Sequence, residues 1–155
     1  MEAFVLNYNG GEKIVRCLSL LSREIDKITL VDNASTDSSV ELVKKRLPKV
    51  KVVRGKENKV ARAFNEPVMG SDSDWVLLLI GDMMATKGFM EPLLKHRKSD
   101  VLAISPRIVG VKNETEWGPA KLSFRFGRVK NHFSPIIHCF NYCFNKFFNT
   151  IFFAI

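Results

Sequence analysis

Hydrophobic and polar positions change their period along this chain. Short runs of Val, Ile and Leu alternate with segments whose apolar residues recur three and four apart. Ala3 to Asn7 is such a run and predicts a first strand. Glu12 to Arg23 carries Ile14, Val15, Leu18 and Leu21 on one side, at helical spacing. Lys27 to Asp32 predicts a second strand. Thr36-Asp37-Ser38-Ser39 then offers caps for a helix running to about Leu47, which Pro48 ends. Val50 to Arg54 predicts a short third strand, and Val60 to Met69 a helix that Pro67 distorts or shortens. Trp75 to Ile80 is the most apolar run, which places it at the sheet centre. Gly88 to Arg97 follows as a helix and Asp100 to Ile108 as a fifth strand. This alternation predicts an α/β fold, a mostly parallel sheet flanked by helices.

Past Gly110 the regularity fails. Residues 112–132 form an irregular basic segment holding Trp117, Phe124 and Phe126. Ser134 and Pro135 suit an N-cap and a first helical position. From there Ser134, His138, Asn141, Asn145 and Asn149 make a polar stripe, with Ile137, Phe140, Phe144 and Phe148 among the apolar residues around it. An amphipathic C-terminal helix over 133–155 is the expectation, after an α/β domain over 1–111. Three Asn and Lys146 argue against a lone membrane span, which needs about 20 mostly apolar residues. The pattern suits a helix lying in a membrane interface. It suits equally a helix packed on the chain's own sheet or on a second copy in a homo-oligomer.

At 155 residues and 46% hydrophobic, the chain is long enough for one substantial core. The net charge of +8 is unevenly spread. From Gly118 to Ile155 there is no Asp or Glu, while Lys121, Arg125, Arg128, Lys130 and Lys146 are basic. Such a stretch is either a solvated basic face or a surface for an anionic partner. Nucleic acid is the weaker partner, because the tail's aromatics fall on an apolar helix face and are not interleaved with basic residues. Cys17, Cys139 and Cys143 make an odd count, which points to a reducing compartment without disulfides. His138, Cys139 and Cys143 have no second ligand pair elsewhere to complete a metal site. Ala3 to Leu6 is too short for the apolar core of a signal peptide. A cytoplasmic location, peripheral at the membrane, is the expectation.

Candidate chemistry gathers where apolar runs end. Asn7-Tyr8-Asn9-Gly10-Gly11, Asp32-Asn33-Ala34-Ser35 and Gly81-Asp82 each follow a strand directly. Open parallel sheets bind ligands in the crevice outside the carboxyl ends of their strands. Asp32 there suits a base or ribose, or serves only to form the turn. Asp82 suits Mg²⁺ or Mn²⁺, with diphosphate oxygens completing the shell. Asp32 and Asp82 should then share one rim and face a common hollow. Asp72-Ser73-Asp74 spells an Asp-x-Asp pattern but precedes its strand, so it reads as a turn at the opposite end of the sheet.

These blocks resemble a family 2 glycosyltransferase with the GT-A fold, especially its rhamnosyltransferase-like branch. The residues that carry the likeness are Asn7 to Gly11, Val31 to Val40, Asp74 to Leu79, Asp82, and Ser105-Pro106-Arg107. The resemblance covers about residues 1–110. It implies a nucleotide-sugar donor, a divalent cation and inverting transfer. It also implies a donor site containing Asn7, Tyr8, Asn9, Asp32, Asn33, Arg62 and Asp82, with Asp82 on the metal. Three departures stand out. Gly81 occupies the place of a preceding Asp in many members, and Asn58-Lys59-Val60 lacks an expected glycine. The acceptor half with its acidic motif is missing, as in a truncated chain. Glu116 is the nearest substitute for the catalytic base, and surface solvation is its bland alternative. A lipid-linked acceptor at a membrane surface suits the tail. A non-catalytic module that binds nucleotide or a partner protein is the alternative function.

Overall fold

Four parallel strands carry the site, and hydrophobic alternation explains how. The computed structural model describes residues 1–58, 63–97 and 104, with the backbone of short strands at 108–109, 115–117, 122–125, 128–131 and 151–152. Strands β1 (Glu2–Asn7), β2 (Ile28–Asp32), β3 (Lys51–Arg54) and β4 (Val76–Ile80) lie in the order β3-β2-β1-β4. Their pairing is parallel throughout, with Asn7 opposite Asp32 and Leu6 opposite Ile80. Side chains on a strand point alternately to its two faces. Ala3, Val5, Leu30, Leu77 and Leu79 face one core, and Phe4, Leu6, Val31, Val76 and Leu78 the other.

Helix α1 (Gly11–Leu21) closes the first face with Ile14, Leu18 and Leu21, each at 0% exposure. Full burial of such side chains contributes about 1.5–3 kcal/mol each. Helix α2 (Ser39–Arg46) adds Val43 to the same core. Helix α3 (Asn65–Met69) covers the second face through Val68. Helix α4 (Met90–Lys95) returns to the first with Met90 and Leu93. Pro67 stands third in α3, within the first turn, where its missing N–H breaks no helical bond. Among the described residues no helix is long and apolar enough to cross a membrane.

Three expectations change. β1, all of whose residues are buried, sits at the sheet centre in place of β4. Both strands are apolar, and composition cannot rank two buried neighbours. The chain steps outward from β1 to β3 and then crosses back to place β4 on the other side of β1. The stretch at 112–132, irregular by sequence, contains strands β6 (Thr115–Trp117), β7 (Leu122–Arg125) and β8 (Arg128–Asn131). β7 and β8 pair as a hairpin, and β6 pairs antiparallel with β5 (Ile108–Val109). Ile151–Phe152, placed in a helix by its spacing, is instead a short strand β9, parallel to β4 at Leu77 and Leu78. Its Ile-Phe-Phe sequence has high β-propensity, and β4 offers it an unpaired edge. The remainder of 133–155, with His138, Cys139 and Cys143, lies outside the described residues.

Candidate functional site

Every strand of the main four ends on the same rim, which runs Arg54, Asp32, Asn7 and Ile80 across the sheet. The chain reverses direction between β1 and β4. That switch point is where ligands of open α/β sheets bind.

The Asn7 side chain, 1% exposed, is turned inward. Its Nδ2 donates to Asp32 Oδ1 (2.9 Å), Ser35 Oγ (3.0 Å) and Ser39 Oγ (2.8 Å). Its Oδ1 is buried against Gly10, where a Cβ would come within 2.5 Å of it. Asp32 is fully buried as well. Besides Asn7, its carboxylate accepts the Ser35 N–H (3.2 Å) and pairs with Arg54 Nε at 3.3 Å. Asn7 and Asp32, the expected donor contacts, are thus braced by partners within the protein, and Asp32 also lines the cavity described below. A carboxylate left unpaired at this depth would be costly, and these partners remove that cost.

Two loops are stitched together above this network. Asn9 (φ 52°) and Ala34 (φ 63°) are both left-handed. Ala has no side-chain reason to adopt that conformation, so Ala34 stores of order 1 kcal/mol of strain. Asn9 Oδ1 accepts the N–H groups of Thr36 (2.8 Å) and Asp37 (3.3 Å), and Asn9 N–H reaches Ser35 Oγ at 2.9 Å. Asp37 Oδ2 accepts the Gly11 N–H (3.0 Å), while its Oδ1 takes the N–H and hydroxyl of Ser39. Burial acts to raise the Asp37 pKa, but the bonds from Ser39 and Gly11 outweigh it and hold the carboxyl below its usual range. Asn9 thus clamps the two loops by its side chain. Tyr8 faces solvent at 51% exposure, and Asn9 beside it is exposed as well.

A cavity of about 220 Å³ opens between the ends of β2 and β3. Val31 to Asn33, Val53 to Glu57, and Ala63, Glu66 and Pro67 of the α3 region line it. It is smaller than the ~300–1,000 Å³ of drug-sized sites, so it suits one portion of a larger ligand. Asn33, 1% exposed, donates through Nδ2 to Asn58 Oδ1 at its edge. Arg54 bridges the wall, donating from Nη2 to the Ser35 carbonyl (2.7 Å) while its side chain stays 54% exposed. Sequence reasoning passed over Arg54, although it holds the same strand-end position as Asn7 and Asp32. Arg62 lies outside the described residues.

Asp82 stands exposed just past β4, on the rim shared with Asp32 but across β1 from the cavity. The two carboxylates share a rim, but of the two only Asp32 lines the cavity. Gly81 explains why no second acid accompanies Asp82. Its N–H donates to Leu6 O (2.8 Å), and a Cβ there would meet that oxygen at 2.8 Å and Ile14 Cδ1 at 2.5 Å. Among the described residues no group of three or more His, Cys, Asp or Glu could hold a metal. The donor set fits a cation that brings most of its oxygen ligands with it, as Mg²⁺ does with one carboxylate and substrate phosphates. Asp72 and Asp74 precede β4 at the opposite rim, and Asp74 pairs with Arg97 at 3.7 Å. Cys17 is buried, and burial, helped by the Asp82 charge, pushes its thiol up to about 12, so it offers no nucleophile. Glu116 falls in β6.

Comparison with known proteins fits this geometry. The model of glycosyl transferase family 2 matches residues 3–153, which extends the likeness through the C-terminal tail. A glycosyltransferase SunS derived from the SPbeta prophage of Bacillus subtilis (strain 168) is 26% identical over 84 residues, 54% of this chain and 20% of that protein. Glycosyltransferase SunS of Bacillus phage SPbeta matches to the same extent. The match thus spans about a fifth of the length of these relatives.

Proposed function

Because this chain belongs to glycosyl transferase family 2, we propose that it binds a nucleoside-diphosphate sugar along the strand-end rim and transfers the sugar to an acceptor hydroxyl with inversion. The observation that carries this reading is the arrangement on one rim of a cavity at β2 and β3, exposed Tyr8 at β1, and Asp82 at β4. The nucleoside occupies the cavity, with Arg54 and Asn33 at its wall and Tyr8 offering an aromatic face. The diphosphate then runs across the Tyr8–Gly11 loop toward Asp82. A divalent cation, when bound, neutralises the charge that develops on the departing nucleoside diphosphate. Asp82 is the residue that would hold it, and Arg62 is the second cationic group assigned to the diphosphate.

Transfer also requires a carboxylate to accept the acceptor's hydroxyl proton. After Gly110 the sequence offers Glu114 and Glu116 alone, and Glu116 is the candidate. An acceptor carried on lipid at a membrane surface is in keeping with the acid-free tail. A second reading, a module that binds nucleotide without transferring sugar, draws on the solitary Asp82 and on the same scarcity of acids.

Thermal unfolding with UDP-, GDP- and dTDP-sugars plus Mn²⁺ tests the donor site. A donor at a hundred times its Kd should raise Tm by about 5–10 °C, and Asp82→Ala should remove most of that shift. No stabilisation by any donor, with Asp82→Ala matching wild type, would refute the reading. Stabilisation without turnover across a broad acceptor panel would favour the non-catalytic module.

A further inference from the structure

We propose that the β3 edge of the domain docks on an anionic lipid surface through the lysines between α2 and the end of β3. Residues 44–56 contain seven Lys or Arg and no Asp or Glu. All seven are exposed. Two of them are already engaged: Arg46 forms a two-pronged ion pair with Glu12, and Arg54 is tied to Asp32 and the Ser35 carbonyl. Lys44, Lys45, Lys49, Lys51 and Lys56 remain as the cationic surface. The nearby acids are Glu12, held by Arg46, Glu41, one turn earlier on α2, and Glu57, directly after Lys56.

Position supports the assignment. The band starts in the last turn of α2, passes through the connection at 47–50 and climbs β3, the outermost strand of the sheet. Edge strands commonly carry Lys to block pairing with other chains, which would account for Lys51. It does not account for Lys44, Lys45 or Lys49, which lie off the strand. Val40 and Val43 point α2's apolar side into the core, leaving the lysines outward. No aromatic residue occurs in 44–56, so single-stranded nucleic acid finds no stacking platform there. A bilayer with anionic headgroups needs none. Each Lys near such a surface adds about fivefold to partitioning. The acid-free segment from Gly118 onward supplies a second stretch of the same sign.

The band ends at Lys56 on the cavity wall, so docking would bring the donor crevice beside the headgroups. That consequence rests on the proposed function; the docking itself does not, and its failure would leave donor binding untouched.

The experiment is co-sedimentation with vesicles of phosphatidylcholine, with and without phosphatidylglycerol. Wild type should bind the phosphatidylglycerol vesicles alone, and less as salt rises. Combined reversal of Lys44, Lys45, Lys49 and Lys51 to Glu should weaken binding about a hundredfold or more. A control reverses Lys13, Arg16, Arg23 and Lys87, which are also exposed, for the same change in net charge. It should retain most binding, and circular dichroism should show both variants folded. Equal loss in both variants, no loss in the first, or no binding by wild type would overturn the proposal. Tighter binding to a single-stranded oligonucleotide than to the vesicles would overturn it in favour of nucleic acid.

Discussion

Glu2 shows how a single buried charge is made tolerable at the rim opposite the site. Its side chain is 4% exposed, yet it meets Lys27 Nζ (2.8 Å), Thr29 Oγ1 (2.8 Å) and Ser71 Oγ (2.7 Å). Burial raises its pKa, but Lys27, Ser71 and Thr29 together outweigh this and leave it below the ordinary 4.5. A lowered carboxylate pKa stabilises the fold fully above the ordinary value. That contribution is lost as pH falls through the folded one. Glu2→Gln should therefore cost about 1–3 kcal/mol at neutral pH. Urea unfolding at several pH values checks this: the gap between wild type and variant should hold down to about pH 5 and then shrink. A gap of constant size through the acid range would contradict the account. At the site rim the same principle pairs buried Asp32 with Asn7, Ser35 and Arg54 at the cavity wall, while Tyr8 and Asp82 stand exposed.

Elements meet at Gly81, where β4 ends against both β1 and α1. Gly81→Ala should destabilise the protein by about 1–3 kcal/mol, since its methyl group would press on Leu6 O and Ile14. Denaturant titration measures this, and a neutral result would mean that the β4 end lies farther from α1. Gly81→Asp should suffer at least as much, so a second carboxylate cannot simply be restored. Such close approach between elements is invisible in a linear pattern. What sequence did reveal were β1 to β4, and the apolar runs of β1, β2 and β4 end abruptly in Asn7, Asp32 or Gly81-Asp82. The side-chain network around Asp32 was hidden because its bond to Asn7 spans 25 positions. The central place of β1 was hidden too, since strand order follows from a crossover and not from hydrophobicity. Short pairings such as β6, β7 and β8 carry too little periodicity to read.

At the scale of the whole molecule, two features divide the labour. The strand-end rim gathers Tyr8, Arg54, Asp82 and the cavity, with Tyr8 and Asp82 beside the switch between β1 and β4. The β3 edge presents charge with little apolar surface, which suits reversible attachment more than insertion. Both follow from one parallel sheet whose strands end together. The most direct test is a crystal structure of the chain with a nucleoside diphosphate and Mn²⁺. The account expects the base in the cavity beside Arg54 and Asn33, and the diphosphate near Tyr8 with the cation on Asp82. Nucleotide bound at the opposite rim, near Asp72 and Glu2, or a cation away from Asp82, would contradict it.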